Sequence, residues 1–253
     1  MTGEVQQFLL IMIRLTVFIS ISPGFSHSSF PTISKVALST GLALPVISAV
    51  PAFSAELAMG DFLLLGIREL LIGMALGYIT LLFFTAVEIA GTLVDFQVGF
   101  SMGAMYDPSL GVNASYYGRI YYWISIMIFF IANIHHQVIT TLVESFTWAP
   151  ISTDQVMLSH IGMEGIVRLF GHLFAAAISL AIPLIIVALL SELTLALISR
   201  TVPQINVLIL GMPMKTLVSL VFMFFFLPLL MRNIGDLFPD MIRYMNEWLY
   251  SLQ

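Results

Sequence analysis

Six stretches of this chain carry no charged side chain: residues 15–34, 36–55, 70–87, 120–143, 169–191 and 216–231. A helix that crosses the hydrocarbon of a bilayer needs about 20 mostly apolar residues, so runs of this length leave few folds open. Irregular backbone and sheet edges do not stand in lipid, where their N–H and C=O groups find no water. The reading is therefore all-α and membrane-associated. Composition agrees, with 59% hydrophobic and 9% charged residues and a mean hydropathy of +1.02. Soluble domains hold roughly 25% charged residues.

Three intervals, 70–87, 120–143 and 169–191, read as ordinary spans. The first interval is broken by Pro23-Gly24, the second carries Pro45 and Pro51, and the last begins just after Gly211, Pro213 and Lys215. An Asp, Arg or Lys at a helix centre costs about 2.5 to 3.5 kcal/mol, whereas each Leu, Ile, Phe or Val returns only about 0.3 to 0.6. Arg14, Arg68, Glu69, Glu88, Asp95, Arg168, Glu192, Arg200 and Lys215 abut or interrupt apolar runs. They are expected to face protein or water rather than lipid.

No polar linker, charge run or internal repeat divides the 253 residues, so 1–253 reads as one unit. The chain has no cysteine, which excludes disulfides and thiolate metal sites. Its net charge of −5 is thinly spread and offers nothing to nucleic acid. The first cation, Arg14, lies in mid-segment instead of ahead of a cleavage site, so the N-terminal stretch is expected to be retained.

Small and polar residues form a row at helical spacing: Gly66, Gly73, Gly77, Thr80, Phe84, Glu88, Gly91 and Asp95. Gly73 and Gly77 make a GxxxG pair, which lets a second backbone come close in lipid. A second row runs through Arg168, His172, Ala175, Ser179 and Pro183. Spacing alone leaves open whether these rows join the helices of one monomer or of an assembly. One helix over residues 66–95 would be about 44 Å long, more than the roughly 30 Å hydrocarbon core.

After this row comes "DFQVGFSMGAMYDPSLG", where the glycines and Pro108 should end a regular helix. Its Phe96, Phe100, Met102 and Met105 are costly in water, and its irregular backbone is costly in lipid. The segment is expected inside protein, either as a buried connector or as an adaptable plug, a use that suits methionine.

The stretches "VEIAGTLVDFQVGFSMGAMYDP", "RELLIGMALG" and "SRTVPQINVLILGMPMK" resemble the FliR family of flagellar type III export-gate proteins. So does the pattern from Arg14 through Pro23-Gly24-Phe25 and Pro31 to Lys35, and the likeness covers essentially the whole chain. The resemblance implies proline-broken helical hairpins packed in a helical hetero-oligomer, a FliP-like first part and a FliQ-like C-terminal part. It implies FliP-like, FliQ-like, FlhB-like and FlhA-like partners in the cell membrane at the flagellar basal body, unfolded flagellar substrates, surrounding lipid and no cofactor.

By the same resemblance Phe96, Gln97, Gly99, Phe100, Met102 and Met105 belong to a plug that closes the export channel. Glu88 and Asp95 meet cations of neighbouring subunits, with Arg68, Arg119, Arg200 and Lys215 as candidates; Gly73, Gly77 and Gly91 pack helices. Pro203, Gln204 and Asn206 form a family motif that the injectisome homologues share, which makes that branch the alternative.

Other classes fit less well. Tyr106-Asp107 and Gly235-Asp236 suggest the paired aspartates of an intramembrane protease, but Asn233 stands where a glycine is needed and Pro108 follows the first aspartate. His135 and His136 are adjacent, whereas a zinc helix presents His at i and i+4, so no metal is expected. An ion-coupled transporter using Glu88, Asp95 and Glu192 is the stronger rival, but the chain has no paired repeats with matching interruptions. The expectation is a non-enzymatic subunit.

Overall fold

The computed structural model of the chain describes residues 3–27, 31–50, 57–99, 115–151, 163–201 and 207–252. Every regular element among them is an α-helix. In chain order these are α1 (Gly3–Ile21), α2 (Thr32–Ala49), α3 (Met59–Val98), α4 (Tyr116–Ile131), α5 (Ile134–Trp148), α6 (Met163–Thr201) and α7 (Val207–Tyr250).

Helices α3, α6 and α7 contain 40, 39 and 44 residues, about 60, 58 and 66 Å at a rise of 1.5 Å. Each is about twice the thickness of the hydrocarbon core. Among the described residues, four helical stretches are long and apolar enough to cross a membrane: Gly3–Ile21, Met59–Val98, Glu164–Thr201 and Pro213–Tyr250. The bent pair α4 and α5 brings the number to as many as five.

Two expectations about breaks change. The interval 120–143, read as an ordinary span, is bent by 73° between α4 and α5. Asn133 sits at that joint in the left-handed region, with φ 57°, a conformation that Asn tolerates better than most side chains. Pro23 and Gly24 do stand at the break expected after α1, but Pro45, Pro183 and Pro213 lie within α2, α6 and α7. Such prolines are tolerated in membrane helices when neighbouring groups satisfy the backbone they free.

The chain forms two compact units. The first comprises Met1–Phe83, Phe129–Leu169 and Phe238–Gln253, and the second Phe84–Ile128 and Phe170–Leu237. In the first, Leu10, Leu15 and Phe18 of α1, Ile72 and Leu76 of α3, and Val138 and Leu142 of α5 are buried. Arg14 lies four residues from both Leu10 and Phe18, so it falls in the middle of the buried stripe of α1. In the second, the buried residues of α6 include Leu173, Ala177, Leu180, Leu184 and Ala188.

The small, polar row of α6 does not form that buried face. Arg168, Ala175 and Ser179 are exposed, and His172 and Pro183 are half-buried. The leucine and alanine row wins the inward position because its side chains fill space without a polar group to satisfy.

Candidate functional site

The most deeply buried charges are Arg14 of α1 and Glu69 of α3, both without solvent contact. Arg14 Nε donates to Glu69 Oε2 at 2.6 Å and Nη2 donates to Oε1 at 3.0 Å. Nη1 donates to the carbonyl and hydroxyl oxygens of Ser145, at 2.9 and 3.0 Å, and Nη2 also donates to the carbonyl of Ala149 at 2.8 Å. All five guanidinium donors are thus used, and the Phe146 ring lies 4.1 Å from the guanidinium carbon. Arg68, itself buried, donates to the carbonyl of Pro150 at 2.9 Å. Two arginines therefore satisfy carbonyls at the C-terminal end of α5, where the helix dipole favours positive charge.

Glycine makes this junction possible. A Cβ on Gly73 would stand 2.5 Å from the carbonyl oxygen of Arg14 and 3.1 Å from its Cα. One turn later, a Cβ on Gly77 would stand 3.0 Å from Ile21 Cβ. The GxxxG pair of α3 thus faces α1, and Glu69, one turn before Gly73, meets the guanidinium that the close approach delivers.

At the other end of α3, Asp95 is buried and accepts hydrogen bonds from the Ser115 hydroxyl and, at 3.1 Å, from the Tyr117 N–H. Ser115 in turn accepts from the Gly118 N–H at 2.8 Å, as a helix N-cap does. A carboxylate here also lies at the positive end of the α4 dipole. The approach is close because Gly91 faces Gly118: a Cβ on Gly91 would be 2.5 Å from the Gly118 nitrogen.

The expected intersubunit charges separate into two groups. Asp95, Arg68 and Lys215 find partners within the chain, the last donating to Glu192 at 3.0 Å. Glu88 and Arg200 are exposed; Glu88 breaks the otherwise buried row between Phe84 and Gly91. Of the expected plug residues, Phe96 is 76% exposed and Gln97 and Gly99 are half-buried. Phe100, Met102 and Met105, the motif residues Pro203, Gln204 and Asn206, and Tyr106 and Asp107 lie outside the described residues.

The Arg14–Glu69 junction was not among the expected site residues. The signal present in the sequence is a single arginine in the middle of an apolar segment, with nothing nearby to neutralise it.

The model of the family described as bacterial export proteins, family 1, matches residues 5–241. The chain is 29% identical over 246 residues to the flagellar biosynthetic protein FliR of Bacillus subtilis, covering 96% of this chain and 94% of that one. It is 27% identical over 241 residues to FliR of Escherichia coli, covering 95% and 92%. It is 30% identical over 175 residues to the Yop proteins translocation protein T of Yersinia pestis, covering 69% and 66%. An all-helical chain with apolar helices of spanning length, matched along nearly its whole length, belongs to the FliR family of bacterial export proteins.

Proposed function

We propose that residues 1–253 act as one structural, channel-forming subunit of the flagellar type III protein export gate, in the cell membrane at the base of the flagellum. The observation that carries this reading is the family match over residues 5–241, with relatives named FliR covered over 94% and 92% of their lengths. The subunit is non-enzymatic and helps to form and close the pore through which unfolded flagellar proteins pass; energy comes from other components.

The surface supports an assembly. Exposed apolar side chains on α3 run from Met59 to Phe96, about 55 Å of helix, which a roughly 30 Å lipid core does not cover. FliP-like and FliQ-like chains are the proposed neighbours, with FlhB-like and FlhA-like components beside them. Glu88 and Arg200, both exposed, are the charges available to them. Residues 96–111 form the plug, with Met102 and Met105 among its sealing side chains.

The test is a mild-detergent pull-down of the tagged chain, co-expressed with the products of neighbouring genes, followed by native mass determination. A large hetero-oligomer containing FliP-like and FliQ-like chains is expected. A monomer or homo-oligomer, with those partners expressed but unbound, overturns the reading in favour of the ion-coupled transporter. The injectisome branch is the second reading, favoured by the Yersinia relative; restored motility in a strain lacking its own FliR selects the flagellar branch.

A further inference from the structure

Within the second unit, residues 187–198 of α6 and 214–222 of α7 border a cavity of about 380 Å³. Its apolar walls include Val187, Leu190, Leu195, Ile198, Val218 and Phe222. Three polar side chains join them: Ser191, Thr194 and Lys215. The two hydroxyls donate to the carbonyls of Val187 and Leu190, each at 2.8 Å, so they spend their protons on their own helix.

Lys215 is different. Its side chain is 15% exposed, and its ammonium donates to Glu192 Oε2 at 3.0 Å. An ammonium has three donors, and this is the one hydrogen bond it makes among the described residues. Glu192 is 61% exposed, so it meets the ammonium from the open side. A cation is thus held at an oily cavity by a carboxylate that water can readily take back.

The volume falls within the roughly 300–1,000 Å³ range of small-molecule sites, and mostly apolar walls with one oriented charge are their usual chemistry. A small soluble anion would gain nothing from these walls. A partner helix, about 10–12 Å across, would fill the cavity with about a single turn. An anion carried on a hydrocarbon chain uses both the walls and the ammonium. Its source is at hand, because both helices have the length and hydropathy of membrane spans, and the flanking Leu193, Leu217, Phe224 and Phe225 are exposed.

We propose that this cavity takes an acyl chain of an anionic phospholipid from the surrounding bilayer, whose phosphate replaces Glu192 as the partner of Lys215. Basic pockets between membrane helices bind lipid phosphates in this way. The proposal goes beyond the export reading, which assigns no role to this cavity.

The test uses the full chain in detergent and native mass spectrometry with phosphatidylglycerol or phosphatidylcholine of the same acyl composition. Wild type should retain phosphatidylglycerol about fivefold better, the factor that corresponds to roughly 1 kcal/mol per cation. Lys215→Met should lower retention to the phosphatidylcholine level. Leu190→Trp, which fills the cavity, should lower both. Glu192→Gln alters an exposed side chain and frees the ammonium, so it should raise phosphatidylglycerol retention. Equal retention of the two lipids by wild type, an undiminished preference in Lys215→Met, or no gain in Glu192→Gln overturns the proposal.

Discussion

A guanidinium with no solvent contact stays in a fold only while every donor is engaged and a negative charge stands beside it. Arg14 meets both conditions through Glu69, Ser145 and Ala149. Breaking one side of a buried pair costs roughly 3–5 kcal/mol, because the other charge stays buried without compensation, whereas replacing both with apolar groups is often close to neutral. Glu69→Ala should therefore lower the unfolding midpoint in mild detergent sharply. The double replacement Arg14→Met with Glu69→Met should recover at least half of that loss, and a midpoint no higher than that of Glu69→Ala would contradict the account. Asp95→Ala removes the acceptor for the Tyr117 N–H and the Ser115 hydroxyl, a loss of about 1–3 kcal/mol; Asp95→Asn, which keeps one acceptor, should lose less in the same measurement. The sequence shows that Arg14 needs a partner but not which one, since Glu69 is 55 residues away and Ser145 131. Periodicity speaks only for residues within a turn or two of each other.

At the scale of the element, glycines set how closely helices approach, and their effects can be ranked. A methyl group at Gly73 would strike the Arg14 backbone at 2.5 Å, one at Gly77 would press on Ile21 at 3.0 Å, and one at Gly66 would make ordinary contact with Ile13 at 3.7 Å. Backbone yields less than a side-chain end, so destabilisation should follow the order Gly73→Ala, then Gly77→Ala, then Gly66→Ala near zero. Folded yield and thermal stability of the three variants check this order; a Gly73→Ala protein as stable as wild type would refute the packing argument. This face was legible because small residues at helical spacing mark it directly. The row on α6 has the same spacing, yet Ser179 is exposed and His172 half-buried, so spacing alone does not tell a face packed within the chain from one left to a neighbour. The 73° joint was hidden for a different reason: its sole mark is Asn133, in a run with neither Gly nor Pro.

For the whole molecule, the all-helical class and the spanning helices followed from where charge is missing. The span count did not, since α1 is continuous through Arg14 and α7 through Pro213. Deleting residues 96–111 should raise ion leakage through the assembled gate; unchanged conductance in an intact complex would count against the plug. The Arg14 junction also imposes an order in time. A ribosome adds about 5–20 residues per second, so Glu69 emerges seconds after Arg14 and Ser145 later still. Until then α1 carries a charge that costs about 2.5 to 3.5 kcal/mol at a helix centre, without the carboxylate and carbonyls that engage it in the fold. The set of partners that fixes α1 is thus complete only once the chain has grown past α5.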